Sequence, residues 1–360
     1  MTASTSTRTR VRFHTLTVAE VERLCADAVA VSFDVPAELA DRYDFRPGQS
    51  LVLRRNIDGR EQRRNYSICA PAGARPRIGV REIPGGEFSP WLVHRLRPGD
   101  RLEVSTPTGS FTPDAATAAH HALVVAGAGI TPALSIAASV LADGHSTVTL
   151  LYGNRRSDTV MFADELADLK DRYPERFELV HVLSREPRES ELLTGRLDGA
   201  KLRELVPELM HVPEVDHWWL CGPFGMVTEA ESVLDEWGVP GERVHHELFY
   251  VGEEPPEPER HVEPAVSGAS TEVTVILDGR STTTAISRET PILDGAQRSR
   301  PDLPFACKGG VCGTCRAKLV DGAGYMRRNF ALEQSEVDDG FVLTCQTLPT
   351  SERVTVDYDT

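Results

Sequence analysis

Three cysteines fall within nine residues of the stretch "FACKGGVCGTCRAKLV": Cys307, Cys312 and Cys315. Cys345 follows 30 residues later in "VLTCQT". The pattern C-x4-C-x2-C with a distant fourth thiol is the spacing that holds a [2Fe–2S] cluster, because two irons need four thiolates converging from one loop and one separate strand. The glycines between them let the backbone bend around the inorganic sulfurs and aim N–H groups at them. A zinc ion is the competing reading, but zinc sites favour paired C-x2-C knuckles or Cys/His mixtures. Of the remaining cysteines, Cys25 and Cys69 read as small buried hydrophobes, and Cys221 belongs to a second set of motifs.

That set lies in the first 250 residues. "RRNYSICAP" carries Arg64, Tyr66 and Ser67 in the R-x-Y-S pattern of the ferredoxin–NADP reductase superfamily, which the region resembles. An arginine suits an anionic phosphate, an aromatic ring can lie against a flavin, and a hydroxyl can reach flavin N5. Downstream, "IPGGEFSPWL" supplies Gly86 and Ser89 where a helix opens, which suits a pyrophosphate. In "VVAGAGITP", Gly127 and Gly129 end a strand at a helix start, with Pro132 read at the first helical position. The resemblance implies that Thr131 faces the flavin and that Cys221, with Gly222 and Pro223 in "WWLCGPFGMV", lies beside the nicotinamide. It further implies that Glu247 and Phe249 of "HHELF" position the nicotinamide and cover the flavin. Ser67, Cys221 and Glu247 are thus the expected catalytic residues. Arg155 in "YGNRRSD" and the Ser184–Arg185 pair in "VLSREP" are candidates for a 2′-phosphate, which favours NADPH over NADH; the plain alternative is a set of solvated loop arginines.

The elements that must position these groups divide the chain. Up to about residue 116, short β-type runs such as "AVAVSFDVP", "SLVLRR" and "RLEVSTP" alternate with Gly and Pro, predicting a barrel or sandwich over 11–116 after a frayed tail at 1–10; the resemblance to ferredoxin–NADP reductases implies the antiparallel β-barrel. From 117 to 250 the pattern alternates buried strands ("ALVVAGAG", "TVTLLYGN", "FELVHVLS", "DHWWLCG") with helices, predicting an α/β domain with a parallel sheet. A Pro/Glu-rich stretch over 251–270 reads as an extended linker. Residues 271–360 resemble a plant-type ferredoxin domain, which implies an α+β β-grasp fold opening with the hairpin "EVTVILDGRSTTTAI" and the helix "PILDGAQR".

The whole chain resembles the reductase subunits of the phenylacetyl-CoA epoxygenase (ring 1,2-epoxidase) family, most closely in "RRNYSIC", "AGAGITP", "YGNRRSDTVMF" and "LPFACKGGVCGTC". The resemblance implies FAD rather than FMN, a [2Fe–2S] cluster, and electrons passed from NADPH to a di-iron oxygenase. Two rival readings are a reductase for another oxygenase, such as a ring-hydroxylating dioxygenase or an alkane or steroid hydroxylase, and a stand-alone flavin reductase. A net charge of −15 argues against a nucleic-acid partner. The absence of an apolar run near 18 residues argues against a membrane span, and thiols that must stay reduced suit the cytoplasm.

Overall fold

A computed structural model describes residues 12–57, 60–114, 117–249, 270–332 and 334–360. The linker and the N-terminal tail expected from the sequence lie outside the described residues. The chain divides into two compact units, the larger spanning Phe13–Glu253 and the smaller carrying Glu254–Thr360.

The larger unit begins with a six-stranded antiparallel sheet. Its strands are β1 (Phe13–Cys25), β2 (Ala28–Asp34), β3 (Ser50–Ile57), β4 (Arg60–Ser67), β5 (Arg77–Arg81) and β6 (Arg101–Ser105), ordered β4-β3-β6-β1-β2-β5. The two edge strands meet through an Ile68–Ile78 bridge and a Cys69 N–H donating to Arg77 O at 2.8 Å, so the sheet curls into a barrel. Alternate side chains Leu51, Leu53, Val29, Val31, Leu102 and Val104 fill its interior. Each such burial stabilises the fold by roughly 1.5–3 kcal/mol. Helix α1 (Phe88–His94) covers one end with Phe88 and Leu92. Ser67 ends β4 and therefore sits at the barrel seam.

Five parallel strands follow: β7 (His120–Ala126), β8 (Thr147–Asn154), β9 (Phe177–Leu183), β10 (His217–Gly222) and β11 (Val244–Leu248), ordered β11-β10-β7-β8-β9. Helices α2 (Ile130–Ala142), α3 (Ala163–Arg172), α4 (Gly199–Leu209) and α5 (Phe224–Glu236) make the crossovers. From β7 the chain steps one way to β8 and later returns to the other side at β10. The carboxyl ends of β7 and β10 therefore flank a switch point, where open α/β sheets bind ligands. Helix α2 starts at Ile130, so Pro132 is its third residue rather than its first. The missing N–H still costs nothing, because the first four helical N–H groups lack intrahelical partners.

Barrel and α/β layer share one core. Ala28, Ala30, Cys69 and Phe111 from the barrel side pack with Ile136, Val140, Tyr152, Phe162 and Trp219. Ser135 Oγ on α2 donates to Ala70 O at 2.6 Å, and Ala72 N–H donates to Ser139 Oγ at 3.0 Å. Arg77 on β5 pairs with Glu165 of α3 at 2.8 Å. Cys69 is buried as expected, whereas Cys25 is only half-buried and donates to Asp27 Oδ1 at 3.1 Å. It packs at the edge of the shared core and also makes this polar contact.

The smaller unit is a mixed sheet of β12 (Ser270–Leu277), β13 (Arg280–Ser287), β14 (Arg316–Met326), β15 (Phe341–Leu343) and β16 (Thr347–Asp357), ordered β13-β12-β16-β14-β15. β12 and β13 form the expected hairpin, and α6 (Ile292–Ala296) packs over the sheet through Ile292 and Leu293; a short α7 (Gln334–Asp338) precedes β15. Strands β12 and β16 are parallel although most of the domain separates them in the chain, and α6 with the cysteine loop carries the chain from β13 across to β14.

Candidate active site and cluster loop

The seam of the barrel faces the carboxyl ends of β10 and β11. Ser67 is 1% exposed and its hydroxyl donates to Glu247 Oε2 at 2.8 Å. Glu247 stands level with Cys221 in the parallel register of β10 and β11, so all three expected catalytic residues meet. Burial pushes the Glu247 carboxyl up to about 7, partly opposed by the Ser67 hydrogen bond. Burial, with the neighbouring Glu247, holds the Cys221 thiol far above the usual thiol range, so it stays protonated and is no nucleophile. The cluster can therefore hold a proton near neutrality at Glu247 and present a hydroxyl at Ser67, with Cys221 as an uncharged wall.

Around this point, Tyr66 lies 6.4 Å from the Phe88 ring, and burial raises its phenol, which therefore stays neutral. Arg64 is exposed, donating to Arg63 O at 2.8 Å and Gln62 Oε1 at 3.2 Å. Ser89 Oγ accepts from Ile83 N–H at 3.0 Å, and Gly86 N–H donates to Ile83 O at 2.9 Å; the two close the turn ahead of α1. Phe249 packs against the shared core. Thr131 is buried; its hydroxyl donates to Ala128 O at 3.0 Å, and a Cβ on Gly79 would meet its methyl at 2.4 Å. Thr131 thus lies between barrel and α/β layer, with its hydroxyl already committed to its own turn. These residues fit a flavin: Asn65 Oδ1, beside Tyr66, is buried with no hydrogen-bond partner among the described residues, and seam and turn offer hydroxyl, amide and guanidinium donors.

At the switch point, Gly127 has φ +56, and a Cβ on Gly129 would stand 2.1 Å from Cys221 O. The turn can approach β10 only without side chains. Gly222 is buried against Ala126 and Met226, while Pro223 is exposed at the head of α5. This cradle fits the pyrophosphate of a dinucleotide. Further along the edge, Arg185 N–H donates to Arg155 O at 2.8 Å, and Ser184 N–H to Asn154 O at 2.9 Å, so the two loops lie side by side. Both arginine side chains are exposed, and neither has an ion-pair partner among the described residues.

In the smaller unit, the four cysteines resolve into two pairs. Cys307 and Cys312 lie close enough to shift each other's protonation, as do Cys315 and Cys345. The Cys312 contact and the backbone N–H groups of Gly309, Val311 and Cys312 hold the Cys307 thiol down at about 6, which favours thiolate. Cys345 is lowered chiefly by Cys315. Thr344 fixes its position by donating to Cys315 O through both N–H (3.2 Å) and Oγ1 (2.9 Å), and Gln346 Nε2 donates to Lys308 O at 2.8 Å. Among the described residues, no three Cys, His, Asp or Glu converge as ligands of one ion. Four thiols from one loop and one distant strand fit a [2Fe–2S] cluster.

The comparisons with known proteins agree along the whole chain. The family described as oxidoreductase FAD-binding domain matches residues 15–112, oxidoreductase NAD-binding domain 123–232, and 2Fe-2S iron-sulfur cluster binding domain 275–350. One component of the 1,2-phenylacetyl-CoA epoxidase of Escherichia coli K12 is 42% identical, over 96% of this chain and 98% of the relative. The chain belongs to the ferredoxin–NADP reductase superfamily, in the branch that ends in a ferredoxin domain. The ferredoxin reductase component of the Mycobacterium tuberculosis 3-ketosteroid-9-alpha-monooxygenase is 34% identical over 96% of this chain and 95% of its own. The solved structure of phthalate dioxygenase reductase covers 96% of this reductase and 98% of its own chain, with TM-score 0.60 and 25% identity.

The reductase is an NAD(P)H-dependent oxidoreductase carrying FAD and a [2Fe–2S] cluster. Bound flavin accepts electrons in pairs from a nicotinamide and releases them singly, and the cluster carries one at a time. Contacts that hold barrel and α/β layer together escape sequence reading. Ser135 and Ser139 sit four residues apart on a largely apolar helix, a spacing that could have flagged them. Arg77 and Glu165 are 88 residues apart and carry no such signal.

Proposed function

We propose that this reductase passes electrons from NADPH through FAD and the [2Fe–2S] cluster to a di-iron oxygenase of the phenylacetyl-CoA 1,2-epoxidase type. The observation that carries the reading is the 42% identity with a component of that epoxidase over nearly the full length of both chains. The proposed units are the flavin barrel over 11–116, the nucleotide domain over 117–250, a linker over 251–270 and the ferredoxin domain over 271–360. Ser67, Cys221 and Glu247 surround the reacting atoms. Arg64, Tyr66, Gly86, Ser89, Thr131 and Phe249 shape the flavin site. Gly127, Gly129, Pro132, Gly222 and Pro223 carry the dinucleotide, and Arg155, Ser184 and Arg185 take its 2′-phosphate. Cys307, Cys312, Cys315 and Cys345 hold the cluster. Arg155 and Arg185, exposed on adjacent loops with no ion-pair partner among the described residues, support NADPH as the donor. No helix of the described residues is long and apolar enough to cross a membrane, which agrees with the cytoplasmic site proposed here.

The test is reconstitution of the purified reductase with NADPH, phenylacetyl-CoA and the di-iron epoxidase complex, with epoxide followed over time. Product that disappears with Cys312→Ser supports the route and its destination. NADPH oxidation and rapid dye reduction without epoxide would leave the chemistry standing and move the partner elsewhere, a steroid monooxygenase being the next to try.

A further inference from the structure

Asn154 closes β8 and is 7% exposed. Neither its amide nitrogen nor its amide oxygen makes a well-formed hydrogen bond among the described residues, although the amide lies near enough to the Tyr152 phenol to influence it. Its backbone is satisfied, since Asn154 O accepts from Ser184 N–H at 2.9 Å. A buried amide with both ends unmet costs about 1–3 kcal/mol per group, so something outside the described chain is needed to complete it.

The sheet register says where that partner lies. Ala126, the last residue of β7, stands opposite Gly153, so the end of β8 that carries Asn154 runs beside the point where the chain enters the Gly127–Gly129 turn. Tyr152 projects from the same face of β8 as Asn154, and its hydroxyl donates to Gly127 O at 3.1 Å. The unmet amide therefore borders the Gly127–Gly129 turn. Its two atoms require an acceptor and a donor side by side. A phosphate oxygen next to a ribose hydroxyl, the groups that a glycine turn at a helix start receives, offers that combination; an isolated anion does not.

We infer that Asn154 is a binding residue for the ribose–diphosphate portion of the pyridine dinucleotide, its NH2 donating to a phosphate oxygen and its carbonyl accepting from a ribose hydroxyl. The inference rests on the reading of the Gly127–Gly129 turn as the dinucleotide site. It is independent of the 2′-phosphate assignment, because both NADP and NAD carry the groups it uses.

Asn154→Ala and the near-isosteric Asn154→Leu, each in the full holoprotein, would be titrated with NADP+ and NAD+ by calorimetry and melted without nucleotide. Both variants should melt near the parental temperature, because only a loose contact with the Tyr152 phenol is lost. Both should weaken each dinucleotide about tenfold. KM for NADPH should rise with kcat near the parental value. Dissociation constants within twofold of the parent in both variants would overturn the inference, as would a fall of the nucleotide-free melting temperature in both, which marks a structural amide. A parent that bound neither dinucleotide would instead remove the nucleotide-site reading on which the inference stands. Arg155→Ala combined with Arg185→Ala separates the two further, since it should weaken NADP+ alone.

Discussion

Ser67 and Glu247 stand 180 residues apart in the chain, yet the Ser67 hydroxyl donates to Glu247 Oε2 at 2.8 Å. This bond joins the last residue of a barrel strand to the last strand of the α/β layer. It also favours the ionised carboxylate against a burial that otherwise holds Glu247 up to about 7. Removing the bond with Ser67→Ala should raise that value further. The pH dependence of flavin reduction by NADPH, followed by stopped flow, should then move upward from near 7. Glu247→Gln should erase it.

The same group makes a stability prediction. Its folded value lies above the ordinary 4.5 of an unfolded glutamate, so the native state binds the extra proton between pH 4.5 and 7. The contribution is complete below pH 4.5 and is lost as pH rises through 7. Melting curves at pH 6 and 8 should show the parent losing stability relative to Glu247→Gln as pH increases.

A second titrating group acts in the opposite sense. His121, His217 and His245 surround Trp219: its Nε1 donates to His121 Nδ1 at 3.1 Å, and its ring stacks on His245 at 4.2 Å. Burial pushes both His121 and His245 down to about 4, aided in each by His217. Unfolded histidine takes its proton near 6.5, so stability is full above that pH and lost as pH falls toward 4. For the buried His121 the loss is roughly 3 kcal/mol at most. Trp219 fluorescence in acid titrations should report it, and His121→Phe should flatten that limb. A Glu247→Gln protein, free of the opposing carboxyl, that is equally stable at pH 7 and pH 5 would contradict this.

Two glycines give a paired test of the dinucleotide turn. Gly129→Ala puts a methyl group 2.1 Å from Cys221 O, forcing backbone apart at a cost of roughly 1–3 kcal/mol and weakening NADP+ binding. Gly225→Ala, inside α5 with nothing within 4 Å, should instead gain up to about 1 kcal/mol. Urea unfolding of both variants compares them directly.

In the cluster loop, Cys307→Ser, Cys312→Ser, Cys315→Ser and Cys345→Ser should each abolish the visible absorbance of the cluster while leaving NADPH-driven dye reduction at the flavin largely intact. Cys25→Ser should retain both signals, since Cys25 bonds Asp27 in the other unit. Equal cluster content in Cys345→Ser and parent would remove Cys345 from the ligand set.

The parallel layer was legible because strands buried on both faces read as continuous apolar runs; "ALVVA" and "WWLCG" sit where those runs predict. The cluster loop was legible because three of its four thiols are local. Strand β1 escaped because most of its 13 residues are at least partly exposed, and α4 because Pro207 interrupts its pattern. No pattern along the chain announces the Ser67–Glu247 bond or the unmet amide of Asn154. Both depend on which strand ends the fold brings level, and that is decided by register rather than composition.

The hydroxyls of Ser135 and Ser139 on α2, bonded to Ala70 and Ala72 of the barrel side, have a consequence for how the chain comes apart. Three family domains are present, but the first two share one core and one compact unit. Calorimetry should therefore record two cooperative transitions and not three. A chimera that exchanges the segment after residue 270 leaves every one of these bonds intact. One that exchanges the barrel alone must also replace the face of α2 on which it rests. The portable module is the cluster domain; flavin and nucleotide sites travel together or not at all.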